Sequence, residues 1–525
     1  MKTAIIVPLQ PAAVGGRYLS SYLRANGQNT RLVFIPSLIP EADGTRYARD
    51  VKYECSDRLK DAVVELIQDA DVVGFSVLAH FFDAMADLSA AIRGRTGKPV
   101  VWGGPHVSAS PDSCLAHADI LCLGDGEDTL LDIVANLQRG ESTDRIPGTV
   151  SSRNGHVIRA EPRRAEPVLD RFPYLDFSFD GHFYIVGPDG REQVVAETPE
   201  AYRKYQKRYP TVEGEWKLLP YKTISARGCP YSCTYCSIGS QDKKALPFRA
   251  RSVSAVIGEL ETVLAAHGDM IDVISLSDDT FLNHAEAWIA DFSEQYEARI
   301  RKPFRVLGHP LSTTARKLEM LAKAGCMHFG MGIESLSRRV LFDVFNRKTP
   351  VPRVLESANI MVETAKAFKT LPPTFDVILG NPYQSPDENL ESFRSLTLIA
   401  RPAKFVQYHL NWFPGSAMFS RALADGIITR DDPIHYRASY LDKENIEPYL
   451  RVLHTALNEP TIPRWLLRAL SGQRVFAVLN HLLKTFPQGE SLAAVLLRLS
   501  RATPRKVVSK ITALMNRRER QTWPA

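Results

Sequence analysis

Short apolar runs alternate with helix-period stretches along the first 150 residues. Apolar runs at 3–7, 31–35, 72–78, 100–103 and 120–123 predict strands. Between them, 18–26, 58–69, 83–95 and 129–138 place apolar residues three and four apart, the spacing of amphipathic helices. Strand and helix in turn predict a parallel sheet covered on both faces, a Rossmann-like doubly wound arrangement. Ligands of such sheets sit beyond the carboxyl ends of the strands. Two glycine turns fall there, Gly103-Gly104-Pro105-His106 and Gly124-Asp125-Gly126-Glu127, and they predict a face for a bulky ligand.

From 151 to 215 the pattern dissolves into proline, arginine and aromatic residues, which reads as a linker wrapping two domains. Alternation resumes at Thr223 and continues through 273–276, 304–307, 328–333, 374–379 and 405–410, with helix-period stretches at 253–266, 315–324 and 353–368. Six βα units predict a partial (β/α)6 TIM-like barrel over 216–426, with its chemistry at the strand C-termini. The rest, 427–525, is helical in period, and 462–486 predicts amphipathic helices. The chain is therefore read as α/β: an N-terminal domain over 1–150, the linker, the barrel and a helical C-terminal region.

A length of 525 residues gives room for several domains, and 44 % hydrophobic with 24 % charged residues is ordinary globular usage. No apolar run reaches the roughly 18 residues of a spanning helix. Pro8 also ends the first apolar stretch short of a signal-peptide core, so the expected location is the cytoplasm. A net charge of +6 is too weak to imply nucleic acid. The charge is uneven, however, with eight basic residues and one acidic residue from Arg498 onward. A solvated tail is one reading of these basic helices, and peripheral contact with a membrane or an anionic partner is the other. Seven cysteines, three of them within eight residues, point to a reduced compartment and a metal rather than disulfides.

Those three are Cys229, Cys233 and Cys236, a C-x3-C-x2-C run preceded by Arg227-Gly228. Three thiolates on one loop can hold three irons of a [4Fe-4S] cluster and leave the fourth open to a small chelator. A structural zinc site is the alternative and needs a fourth ligand, for which Cys326 and several histidines are candidates. The run resembles that of the radical S-adenosylmethionine (SAM) enzymes, as does the aromatic Tyr235 before the last cysteine. The resemblance implies that SAM binds the open iron and is split to a 5'-deoxyadenosyl radical. It also assigns Glu334 and Ser335 to the SAM ribose or amino acid moiety, and Ile378 and Gly380 to the adenine. Ser277 and Asp278 fall where that family meets the SAM amino group, in an altered Ser277-Asp278-Asp279 motif that leaves open which acid serves. Arg347 and the 411–415 segment fill similar places, and His309, Tyr408, His409 and Trp412 are candidates to meet substrate.

In the N-terminal domain, Ser76 and the two glycine turns (Gly103, Gly104, Pro105, His106; Gly124, Gly126, Glu127) resemble the cobalamin (B12)-binding domain of a large radical SAM class. The likeness covers residues 1 to about 425. One departure is the absence of an Asp-x-His-x-x-Gly motif, so cobalt is expected to lack a histidine from it. Cys55, Cys114 and Cys122 are not expected to form a second cluster, because Cys114 reads as helical and Cys122 as part of a strand. The resemblance implies three cofactors: a [4Fe-4S] cluster, SAM and cobalamin. The implied reaction is methyl transfer from methylcobalamin to an unactivated carbon of a small or lipid-like organic substrate. Cyclisation, rearrangement or oxidation is the alternative, and an inactive cobalamin sensor or carrier is the second. The implied partner is a flavodoxin- or ferredoxin-type electron donor, with no nucleic acid.

Overall fold

The computed structural model describes residues 1–8, 13–36, 55–153, 155–187, 190–211, 214–429 and 446–485. Five parallel strands form the middle of the first sheet: β1 (Lys2–Pro8), β2 (Asn29–Ile35), β3 (Val72–Ser76), β4 (Val100–Gly103) and β5 (Ile120–Cys122). They are nearly continuous apolar runs because helices cover both faces. The helices are α1 (Val14–Ala25), α2 (Asp57–Leu66), α3 (Phe82–Thr96), α4 (Pro105–Ala109) and α5 (Glu127–Arg139). Two separate cores result. One gathers Leu59, Val63, Leu88, Ile92 and Trp102, the other Leu23, Leu130, Ile133 and Val134. This is the doubly wound arrangement expected from the alternating pattern.

The stretch read as a linker is more than that. It supplies β6 (Thr149–Arg153) and β7 (His156–Arg159), a hairpin antiparallel to β5, and then β8 (Phe183–Val186) and β9 (Gln193–Ala196) on the opposite edge beside β2. The sheet thus has nine strands in the order β7-β6-β5-β4-β3-β1-β2-β8-β9. The outermost strands β7 and β9 are mostly exposed, so they carry no apolar alternation for a sequence reading to catch. A buried polar network fixes the returning chain: Arg17 pairs with Glu197, and His182 Nε2 lies 3.0 Å from Asp176. Beyond it, Thr198 caps α6 (Pro199–Tyr205), and a small pair, β10 (Tyr209–Pro210) and β11 (Trp216–Leu218), leads into the second half.

There, β12 (Pro220–Thr223) is followed by a short antiparallel pair, β13 (Ala226–Arg227) and β14 (Arg249–Ala250), which brackets the cysteine segment. The remaining strands are β15 (Val273–Leu276), β16 (Phe304–Gly308), β17 (Cys326–Glu334), β18 (Thr374–Gly380) and β19 (Lys404–His409). With β12 they make a six-stranded parallel sheet in chain order. The connecting helices are α7 (Val253–His267), α8 (Glu286–Arg299), α9 (Ala315–Lys323), α10 (Val351–Phe368) and α11 (Pro386–Leu396). Phe304, Phe329, Ile333 and Phe375 join Val256, Leu318 and Val354 of these helices in one large core.

The last helices are α12 (Ala417–Ala424), α13 (Pro448–Leu457), α14 (Arg464–Leu470) and α15 (Gln473–Thr485). Tyr449, Leu453 and Leu457 of α13 add to the barrel core. The basic stretch from Arg498 lies outside the described residues. Among the described residues, no helix is long and apolar enough to cross a membrane.

Candidate active site

The cysteine loop leaves β13 and returns on β14, so its two ends are pinned side by side. Cys233 is buried, and Cys229 and Cys236 are half-buried. The loop is docked on the segment after β17, where a π-helical turn spans Val340–Val344. Such turns leave backbone carbonyls out of the helical ladder and recur at functional sites. Here Thr234 donates its amide to the Phe345 carbonyl at 2.9 Å and its hydroxyl to that of Val344 at 2.7 Å. Asn346 Nδ2 donates to the Ser232 carbonyl at 3.0 Å.

Arg347, itself buried, sits on the sulfur side of this contact. Its guanidinium reaches Cys233 Sγ at 3.7 Å, the Tyr235 hydroxyl at 3.4 Å and the Gly332 carbonyl at 2.7 Å. Burial opposes its charge, but Tyr235, Glu334 and Cys233 outweigh that and hold its pKa above the ordinary value. Glu334 adopts a positive φ of 66° and folds its carboxyl back over Gly332, where a Cβ would stand 2.3 Å from Oε1. Burial raises its pKa, with Arg347 and Tyr235 pulling the other way. Burial also pushes the Cys229 thiol up to about 11 and raises that of Cys236, so loading iron on this trio must displace protons.

The strand ends are irregular where the chemistry is expected. The ladder shifts register between Gly332 and Glu334 and again between Ile378 and Gly380, and such bulges commonly re-aim side chains beside active sites. Ile378 packs in an apolar cluster with Val344, Phe345 and Trp412, against which Tyr235 rests. At Gly380, His409 takes the approach expected of a ligand, since a Cβ would lie 2.4 Å from its Nδ1. Ser335 is buried and donates to Gln384 Oε1 at 3.3 Å. His309 stacks on Tyr231 of the cysteine loop at 3.6 Å, whereas Tyr408 is exposed.

Asp278 lines the cleft and is also tied into the fold. Its carboxylate accepts from the Ser225 amide at 2.8 Å, from the Ala226 amide and from Ser225 Oγ, which ties β15 to the start of the cysteine segment. Burial nonetheless lifts its pKa to about 7. The neighbouring Asp279 opens onto the cleft together with Ser277, and burial raises its carboxyl as well. Both acids of this altered motif line the cleft, Asp278 buried and hydrogen-bonded, Asp279 exposed to it.

A cleft of about 450 Å³ separates the two halves. Ser76, Gly103, Gly104, Pro105, Gly124, Gly126 and Glu127 line it from the first sheet, and Ala226, Arg227, Gly228, Ser277, Asp278 and Asp279 from the barrel. It extends to Ile238 and Gln241, just past the last cysteine. One expectation needs correction here. His106 does not line the cleft: it is buried, with Nε2 3.3 Å from Ser113 Oγ and its ring 4.8 Å from Phe82. Glu127 lines the cleft, but its carboxylate is taken by Arg227. Gly104 serves the fold directly, because at φ 106° a Cβ would meet the Val77 backbone at 2.9 Å.

The sequence matches the B12 binding domain over residues 7–134 and the radical SAM superfamily over residues 223–396. The chain is a B12-binding radical SAM protein. An uncharacterised methyltransferase of Pyrococcus horikoshii is 25 % identical over 475 residues, covering 86 % of this chain and 91 % of that protein. An anaerobic magnesium-protoporphyrin IX monomethyl ester cyclase of Cereibacter sphaeroides is 31 % identical over 168 residues, 28 % of this chain and 26 % of that one. The structure of TsrM from Kitasatospora setae, a radical SAM methyltransferase, shares the fold with a TM-score of 0.60 at 18 % identity, covering 89 % and 88 % of the two chains.

The donor set of this radical SAM protein fits an iron–sulfur cluster. Cys229, Cys233 and Cys236 share one loop, with Cys236 near enough to act electrostatically on Cys229 and Cys233 on Cys236. Cys326, the candidate fourth zinc ligand, is buried in β17 with Sγ on the His328 carbonyl. The cleft fits a bulky cofactor, because glycine backbone lines its N-terminal wall. Sequence reasoning did not single out Asp125 or Arg249, whose partners lie about a hundred residues away along the chain. The only signal was Arg227 itself, standing next to the cysteine motif.

Proposed function

We propose that this protein is a cobalamin-dependent methyltransferase that places a methyl group on an unactivated carbon of a small organic substrate. One observation carries the reading: the glycine turns of the first sheet and the ends of the cysteine segment open on the same cleft. When bound, a [4Fe-4S] cluster with SAM supplies a carbon-centred radical and cobalamin a transferable methyl group.

The chain's own part is binding, orientation and exclusion of water. Cys229, Cys233 and Cys236 hold the cluster. Arg347 and Glu334 present a fixed cation and carboxyl to the polar end of SAM, and Ser277 with Asp278 or Asp279 meets its amino group. Ile378 and Tyr235 offer an apolar wall for the adenine. Ser76, Gly103, Gly104, Pro105, Gly124 and Gly126 bring backbone close to the corrin. The candidate substrate contacts are His309, Tyr408 and His409.

The partial match to the cyclase supports a second reading, in which the substrate radical closes a ring without gaining a methyl group. Oxygen-free protein reconstituted with iron, sulfide, hydroxocobalamin and SAM, with dithionite in place of a flavodoxin-type donor, separates the two. Methyl transfer releases both 5'-deoxyadenosine and S-adenosylhomocysteine, and deoxyadenosine alone favours the cyclase-like outcome. Protein that takes up neither iron nor corrin sinks both readings. The reading places the protein in the cytoplasm. The exposed Trp465, Val475 and Val478 on α14 and α15 support peripheral membrane contact, which flotation with anionic vesicles tests.

A further inference from the structure

Two arginines face each other across the small β13–β14 ladder: Arg227 is registered opposite Arg249. Like charges directly opposite one another destabilise a strand pair. A two-stranded ribbon alone has little stability to spare for such a pair. Here both guanidinium groups are satisfied from the other half of the molecule. Arg227 makes a two-pronged pair with Glu127, at 2.5 and 3.1 Å, and comes within 3.5 Å of Asp125. Arg249 donates to Asp125 at 2.6 Å and to the Glu166 carbonyl at 2.9 Å.

The pairs are shielded: the Arg227, Arg249 and Glu127 side chains retain 14 %, 6 % and 5 % exposure. Arg227 also lies over the Tyr18 and Phe172 rings, and Arg251, just past β14, donates to the Tyr18 hydroxyl at 3.0 Å. Two residues beyond Arg227 stands Cys229, and the turn that carries Asp125 and Glu127 lines the cleft.

We infer that Arg227 and Arg249 with Asp125 and Glu127 form a clasp that locks the cysteine loop to the cofactor-facing turn of the N-terminal domain. Arg227 and Glu127 are then positioning residues that set one fixed spacing between the two cofactor sites. The inference rests on the functional reading above for its purpose, but not for the clasp itself. The clasp orders the ribbon ends only when the halves are docked, so cluster-loop order and domain closure form one cooperative unit.

Two measurements test it. Hydrogen exchange on the cofactor-free protein reports the clasp whether or not any cofactor binds. Glu127→Gln keeps the shape and removes the charge, and it should speed exchange of the 226–236 and 246–251 peptides about ten-fold while leaving α7 to α10 unchanged. Arg227→Lys, which lacks the planar fork, should give a smaller increase in the same peptides. In protein reconstituted with iron, sulfide and hydroxocobalamin and then reduced with dithionite, pulsed magnetic resonance between cobalt(II) and the reduced cluster should show one narrow distance for the natural chain. A distribution about twice as wide is expected for Glu127→Gln. Wild-type exchange rates in a folded Glu127→Gln variant overturn the clasp. An unchanged distance width overturns its role in spacing. A natural chain that loads no cofactor defeats the functional reading and leaves the exchange result to decide the clasp.

Discussion

Arg347 spans three acceptors, two on the cysteine loop and one on β17, and stands beside Glu334, so its removal leaves a buried carboxyl without its cation. Uncompensated buried charge costs about 3–5 kcal/mol. Arg347→Ala should therefore lower the urea midpoint of the barrel and abolish SAM cleavage, whereas Arg347→Lys should retain much of the stability and lose most of the cleavage. Denaturation curves beside deoxyadenosine assays check both. A second residue bears on acid stability. His454 is buried against Phe393 with neither ring nitrogen bonded, and burial lowers its pKa to about 3. Burial lowers His284 and His328 to about 3 as well. These rings are neutral in the folded chain and charge on unfolding below about pH 6.5. Their contribution is complete above that pH and is lost as the pH falls toward 3. At pH 5 this amounts to about 2 kcal/mol per ring. In His454→Leu, the difference in unfolding free energy between pH 7.5 and pH 5 should shrink by that amount. A variant with an undiminished pH slope removes His454 as a source.

At the scale of elements, the strand ends carry the chemistry and two glycines there admit close neighbours. Gly332→Ala would push the Glu334 carboxyl out of the place it shares with Arg347, so SAM affinity should fall at least ten-fold, about 1.4 kcal/mol. Equilibrium dialysis of reconstituted protein measures it. Gly415, in the loop after β19, has φ 83° and lies against α4, where a Cβ would stand 2.0 Å from the Ala109 carbonyl. Gly415→Ala should loosen this far end of the domain junction and expose the 105–109 helix to proteolysis, while the barrel remains folded. Near-native cleavage patterns would count against that. The βα alternation made the strands readable, because burial on both faces turns each into an apolar run. The π-turn under the cysteine loop and the bulges at Glu334 and Gly380 were not readable. They are set by backbone hydrogen bonds between distant segments and have no characteristic residue pattern.

Over the whole molecule, the order of the domains and the cysteine trio could be read directly, since each rests on local periodicity or spacing. The contacts that join the halves could not, because Glu127 and Arg227 meet only after two independent sheets have formed. The same limit hid the barrel arginine that Glu127 meets at the cleft and the place of His106 behind its own turn. The sheet order carries a further consequence. Residues 183–196 return to the border opposite the one where 149–159 are added, so the first sheet is finished only after the chain has crossed its full width. A fragment severed at residue 150 would bare the backbone of β2, and most of that of β5, to any passing strand, an invitation to aggregate. The border beside β2 is therefore covered only by residues that lie beyond 180.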